Sequence, residues 1–212
     1  LYCYPERITD ELLEVMAKED KILKYMDLPL QHCSRQVLRA MNRQGDRESL
    51  SALIRKIREK VPGIVLRTTF MVGFPGETEE AFEELAEFAK EMRFERMGCF
   101  AYSQEEGTPA ARLPDQISRE IKEHRQDLMV EEQMALNDEM SREMVGKTIT
   151  VLNEGWDRYA ECCFGRSAAD APEIDTKVFF TVEGKKPYPG MFVHVAITDT
   201  MDCHLIGQEV TT

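Results

Sequence analysis

At Gly146 the spacing of apolar residues changes period, and that change dictates what the chain can build. Before it, short apolar runs alternate with amphipathic runs; after it, five short apolar runs are separated by Gly, Pro, Asn and Asp turns. The first pattern is that of strands and helices in alternation, which favours parallel strands joined by right-handed crossovers. The second is that of a small closed β-barrel. We therefore divide the 212 residues into 1–144, part of a parallel α/β barrel, and 145–212, a small all-β barrel. That length can bury both cores.

The strand-like runs of the first part are residues 24–31, 64–74 and 96–102. Helical periodicity covers 9–18, 34–42, 47–60, 78–92 and 117–144. The last helix repeats Ile121, Leu128 and Ala135 every seven residues and Leu136, Met140 and Met144 every four, a stripe that predicts core packing. Beyond Gly146 the strands are expected at 147–152, 158–164, 177–182, 191–197 and 203–210, with turns at Asn153-Glu154-Gly155, Glu183-Gly184 and Tyr188-Pro189-Gly190. A closed parallel barrel needs more than three strands. The chain opens on Leu1, and Leu1-Tyr2-Cys3-Tyr4-Pro5 reads as the end of a buried strand, so missing strands are expected upstream.

Three loops fall where α/β folds bind ligands, at the C-terminal ends of parallel strands. Gln31, His32 and Ser34 end the first strand; Ser34 either caps the next helix or reaches a ligand. Val72-Gly73-Phe74-Pro75-Gly76-Glu77 ends the second; it is a tight strand-to-helix turn or a cradle for close backbone approach. It lacks the lysine of a phosphate loop, and Glu77, Glu79 and Glu80 would repel phosphate, so a base and ribose suit it better. Residues 102–110 follow the third strand. Arg67 lies within an apolar strand and needs either a core carboxylate or a ligand carboxylate as partner. No pairing of nucleophile and base is visible.

The formal charge of −12 argues against a chain built to grip phosphate backbones. The second part alone has six Lys and Arg against ten Asp and Glu, a net −4. The six cysteines, Cys3, Cys33, Cys99, Cys162, Cys163 and Cys203, show no C-x-x-C or C-x-x-x-C spacing and are expected to be buried or idle thiols. A cytoplasmic location fits those thiols, and the chain shows neither a signal peptide nor a membrane span.

Four stretches carry a family resemblance: LPLQHCS followed by VLRAMNR, then RTTFMVGFPGETEEAF, then CFAYSQEEGTPAA. They resemble the methylthiotransferase family of radical S-adenosylmethionine enzymes, and the small barrel resembles the TRAM domain that closes those proteins. Within the barrel, GRSAADAPEID (residues 165–175) resembles the RimO type, the branch that modifies a ribosomal protein. The family's C-x-x-x-C-x-x-C cluster motif, its N-terminal domain and its early barrel strands are absent. The resemblance thus implies the back half of the radical barrel plus TRAM, a piece that alone holds no cluster and is inactive.

The resemblance further implies S-adenosyl-L-methionine and two [4Fe–4S] clusters in the full-length protein, with no cluster ligand in this chain. One cluster cleaves S-adenosylmethionine reductively to a 5′-deoxyadenosyl radical; the other helps deliver sulfur. The target would be the β-carbon of an aspartate in the basic small-subunit ribosomal protein of the decoding centre, with an electron donor as a further partner. Carried over, Val72 and Gly73 would border the adenine, Gln31 and Ser34 the ribose or methionine, and Arg67 the methionine carboxylate. The acidic barrel favours a protein over a nucleic acid as direct substrate. Two alternatives stand: a tRNA methylthiotransferase of the MiaB type, and a non-catalytic binding module on the same scaffold.

Overall fold

The computed structural model describes residues 2–210, in two compact units that divide between Gln133 and Met134. The first unit runs α1 (Asp10–Lys18), β1 (Tyr25–Asp27), α2 (Arg35–Ala40), α3 (Arg47–Lys60), β2 (Val65–Val72), α4 (Glu79–Met92), β3 (Arg96–Ala101) and the first part of α5 (Arg119–Arg142). The three strands form one parallel sheet in the order β1-β2-β3, as the alternation predicts. Short side-chain caps start α1, α3 and α4: Thr9 accepts from Leu12 N–H, Asp46 from Ser49 N–H, and Thr78 from Ala81 N–H.

β2 alternates strictly between buried and half-buried residues. Leu66, Phe70 and Val72 enter the core with Ile54, Ile57, Leu85 and Phe88 of α3 and α4. Phe70 meets Phe88 and Phe94 edge-on at 6.2 and 5.8 Å between ring centroids. The other face of β2 carries Val65, Arg67, Thr69 and Met71, all half-buried. There Arg67 stands in register between Asp27 and Arg96, a charged row across three strands.

The first strand is shorter than predicted over residues 24–31, because Pro29 has no N–H to donate. The Thr68 hydroxyl fills the gap, donating to Leu28 C=O at 3.0 Å and accepting from Leu30 N–H at 3.4 Å. The ladder then resumes, with Gln31 N–H on Thr69 C=O and Met71 N–H on Gln31 C=O, both at 2.8 Å. Thr68→Val keeps the shape and orphans two buried backbone groups. It is expected to cost about 1–3 kcal/mol in urea unfolding, and no loss would remove the hydroxyl from this account.

The expected buried strand at residues 1–5 is not found. Leu1 lies outside the described residues, Tyr2 and Tyr4 are exposed, and Pro5–Arg7 is a 3₁₀ turn. Cys3 N–H reaches the sheet, on Asp27 C=O at 2.8 Å, and Cys3 packs half-buried against the core. The stripe predicted on the long helix is corrected in its first part, whereas Leu136, Met140 and Met144 are half-buried and Met144 packs against the core of the second unit. Ile121, Leu128 and Ala135 are exposed, whereas Arg125, Met129 and Gln133 are the buried residues of α5. The reason is that α5 covers the open edge of β3 with polar side chains. Lys122 donates to Tyr102 C=O, Gln126 to Cys99 C=O and Gln133 to Phe94 C=O, at 3.2, 2.9 and 3.0 Å.

The second unit holds β4 (Thr148–Asp157), β5 (Cys162–Arg166), β6 (Val178–Thr181), β7 (Phe192–Met201) and β8 (His204–Glu209). They close as β4-β5-β6-β8-β7, with β6 and β8 parallel and the other pairs antiparallel. Val151, Cys163, Val178, Phe180, Val193, Val195 and Ile197 fill the barrel. Asn153-Glu154-Gly155 is not a turn: β4 runs through it with a register shift between Asn153 and Gly155, and the chain turns at residues 158–161 instead. A bulge uses the same small polar residues and glycine that a turn uses. Residues 167–177, which follow β5, form a self-bonded loop. Asp170 accepts from Ser167 Oγ at 2.6 Å and Thr176 Oγ1 at 3.3 Å, and Asp175 from Ala171 N–H at 2.8 Å.

Candidate functional site

Parallel pairing puts the C-terminal ends of β1, β2 and β3 on one rim of the sheet, and three loops meet there. Gln31, Asn42, Arg43, Met71, Phe74 and residues 108–110 line a single cleft of about 460 Å³. Phe74 packs edge-on against Tyr102 at 5.1 Å, tying the second loop to the third. Tyr102 N–H donates to Val72 C=O at 2.8 Å, extending the ladder to the rim. The third loop is braced from within: Thr108 Oγ1 donates to Glu105 C=O at 2.8 Å, and Gln104 Nε2 to Ala111 C=O at 2.9 Å.

Two lining residues hold left-handed backbone, Gln31 at φ 69° and Asn42 at φ 58°. For glutamine that conformation is unfavourable by about 1 kcal/mol and persists only where surrounding bonds impose it. Here the two backbone bonds of Gln31 to β2 impose it, and its side chain is delivered to the cleft.

The other sequence-nominated residues lie behind or below this cleft. Ser34 is buried at the N-cap of α2; its N–H donates to His32 Nδ1 at 2.9 Å, and its hydroxyl makes no cap bond. Arg67 stands four residues down β2 from Met71, about 13 Å along the strand. Val72 is wholly buried. Gly73, at φ 73°, donates its N–H to Glu77 Oε2 at 2.9 Å. A Cβ on Gly73 would fall 2.2 Å from Lys122 Cγ, so its open side is already taken by α5.

Sequence reasoning missed what sits beneath the rim. Glu77, nominated only as a carboxylate that repels phosphate, is not a surface group. Its side chain is fully buried, accepting from Gly73 N–H and pairing through Oε1 with Arg125 at 2.7 Å. Arg125 also bonds Glu79 at 2.7 Å and covers the Phe82 ring. His32 is wholly buried, with Nε2 3.5 Å from Glu77 Oε2. Because His32 Nδ1 accepts from Ser34, the proton of the neutral ring sits on Nε2, facing that carboxylate. The first loop thus packs against the second at His32 and Glu77, without a hydrogen bond between them, and α5 clasps the second loop through Arg125. Nothing in the local sequence around Arg125 marks this pairing, because its partner is 48 positions away.

Burial pushes the Cys33 and Cys99 thiols up to about 12, aided by the carboxylates of Glu84 and Glu77 respectively. Both stay protonated and unreactive at neutral pH. Among the described residues no group of three or more His, Cys, Asp or Glu could hold a metal ion, and no helix is long and apolar enough to cross a membrane.

A parallel sheet with a ligand-sized mouth at its C-terminal rim, followed by a closed five-stranded barrel, is matched by two family models. Residues 1–89 match the radical SAM superfamily and residues 145–210 the TRAM domain. The chain carries radical SAM sequence followed by a TRAM domain. Within that class it is similar over nearly all of its length to proteins named ribosomal protein uS12 methylthiotransferase RimO, as the quoted motifs imply. It is 50% identical to that of Desulforudis audaxviator over 93% of this chain and 43% of the relative. It is 46% identical to that of Caldanaerobacter subterraneus subsp. tengcongensis over 98% of this chain and 47% of the relative. The chain therefore spans less than half the length of these relatives. Among solved structures, coproporphyrinogen III oxidase (HemN) of Escherichia coli, a radical SAM enzyme, matches with a TM-score of 0.50 and 21% identity, over 66% of this chain and 32% of that one. That likeness concerns the fold alone.

Proposed function

We propose that this chain supplies the S-adenosylmethionine-binding rim and the recognition barrel of a radical methylthiotransferase acting on an aspartate of a basic small-subunit ribosomal protein. The observation that carries this reading is the convergence of Gln31, Phe74 and residues 108–110 on one cleft. Its residues fit a nucleoside bearing an amino acid. Met71 and Phe74 offer apolar walls for a base, Gln31 and Asn42 offer amides, and Arg43 brings a cation to the rim. In this reading Gln31 holds the ribose or methionine directly, while Ser34, Val72 and Gly73 shape the cleft from behind its walls, and Arg67 would meet the methionine carboxylate only if the ligand extends down β2 beyond the cleft.

S-adenosylmethionine, when bound beside a reduced iron–sulfur cluster, supplies one-electron chemistry able to break an unactivated C–H bond. This chain's own residues bind, orient and shield. The Glu77–Arg125 pair anchors the second loop, with Gly73 N–H held on the same carboxylate, and the Phe74–Tyr102 pair ties the second loop to the third. The thiolates for the two [4Fe–4S] clusters come from outside this chain, a reading supported by the scatter of its six cysteines. An electron donor is then a required partner.

Gln31→Gly tests the site without straining the backbone, since glycine adopts φ 69° freely. It is expected to weaken S-adenosylmethionine binding by the full chain about tenfold in calorimetry, the worth of one good hydrogen bond. Unchanged affinity would remove Gln31 from the site.

The barrel's net charge of −4 supports a basic protein as its partner. The tRNA reading draws on one feature, Lys186 over the Trp156 ring at 3.0 Å with Lys185 over Tyr188 at 5.2 Å. Tight, salt-sensitive tRNA binding by the full chain would favour it.

A further inference from the structure

The two hairpin loops at one end of the barrel frame a cleft separate from the rim site. It measures about 350 Å³ and is lined by Tyr159, Cys162, Phe179, Met201 and Ile206, with Asp157 at its edge. Phe180 of the barrel core forms its floor. Tyr159 is fully exposed and Met201 is 57% exposed. These side chains therefore leave an apolar surface open to solvent.

The place is informative. In five-stranded barrels of this type, the face of the second and third strands, between the first and last hairpin loops, is where oligonucleotides bind. Those strands are β5 and β6 here, and the loops are β4–β5 and β7–β8. The charges at this place do not suit phosphate. Asp157, Glu161, Asp199 and Asp202 lie in or beside the two loops, against Arg158 and Lys177. The Asp157 carboxylate accepts from the N–H groups of Tyr159 and Ala160 at 2.8 and 3.0 Å, which fixes it at the cleft edge as an anion.

We propose that this cleft seats one large apolar side chain of a basic polypeptide segment, whose flanking lysines or arginines meet the carboxylates of the two loops. The inference rests on the reading of the barrel as a recogniser of a basic protein, and adds the place and the anchor.

The test uses the full chain and three fluorescent probes in anisotropy titrations. These are a lysine-rich peptide with one central leucine, the same peptide with glycine there, and an oligouridylate. The leucine peptide is expected to bind about tenfold tighter than the glycine peptide, the gain from burying one apolar side chain. Met201→Gln and Tyr159→Ser, both at exposed positions, should each erase most of that difference and leave the glycine peptide within twofold. Equal binding of the two peptides, or a difference that survives both variants, overturns the cleft while leaving the barrel a reader of basic protein. Binding of oligouridylate in place of both peptides, or of none of the probes, overturns that broader reading and the cleft with it.

Discussion

Replacing Arg125 by alanine is expected to lower the stability of the first unit by about 3–5 kcal/mol, the loss typical of a buried ion pair broken from one side. Arg125 is 5% exposed and Glu77 4%, so water cannot replace the guanidinium. The carboxylate would keep only the Gly73 N–H and the distant His32 ring, too little to hold a charge in the core. Removing both charges together, as Glu77→Gln with Arg125→Met, should cost much less than the sum of the single changes. Urea unfolding followed by far-UV circular dichroism reads the effect. A loss under about 1 kcal/mol for Arg125→Ala would show that the clasp of α5 on the second loop is not an energetic feature of the fold.

Gly207→Ala should be at least as damaging to the barrel. A Cβ at that position would lie 2.3 Å from Ala196 C=O and 2.6 Å from Val195 Cγ1. The obstacle is backbone of the neighbouring strand, so no rotamer relieves it and the β7–β8 ladder must open. Gly165 is in the same condition, 2.1 Å from Leu152 C=O. Gly155 is the control: its Cβ would meet only the Phe164 ring at 3.2 Å, which can shift. We expect losses above about 4 kcal/mol for Gly207→Ala and Gly165→Ala, at the extreme of single substitutions, and a small change for Gly155→Ala. Trp156, the one tryptophan, lies in β4 and reports barrel unfolding by fluorescence. Equal behaviour of the three variants would mean that the barrel is not packed this closely.

Gly165 opens the GRSAADAPEID stretch on which the sequence resemblance leaned, and the structure gives much of that stretch a local duty. Its glycine admits the neighbouring strand, while Ser167, Asp170 and Asp175 bond the loop to itself. The strands and helices were legible because burial imposes periods of two and 3.6 on residues such as those of β2 and α4. The α5 stripe was not, because a helix that covers a strand edge buries glutamine and arginine and leaves Leu128 outside. The β7–β8 turn was equally hidden. Asp202 and Cys203 take φ of 50° and 64° without a glycine to announce it. At the rim, the three loops could be nominated from their places at strand ends, and Gln31 among them. Asn42 and Arg43, delivered from the end of α2, and the tie from Glu77 to Arg125 depend on contacts that no local pattern encodes.

Hydrogen exchange on the full chain, with and without millimolar S-adenosylmethionine, tests the rim most directly. Protection confined to residues 31–34, 71–77 and 104–111 is the expected result. Protection of the barrel instead, or of one of these loops without the other two, would contradict a shared mouth for that molecule.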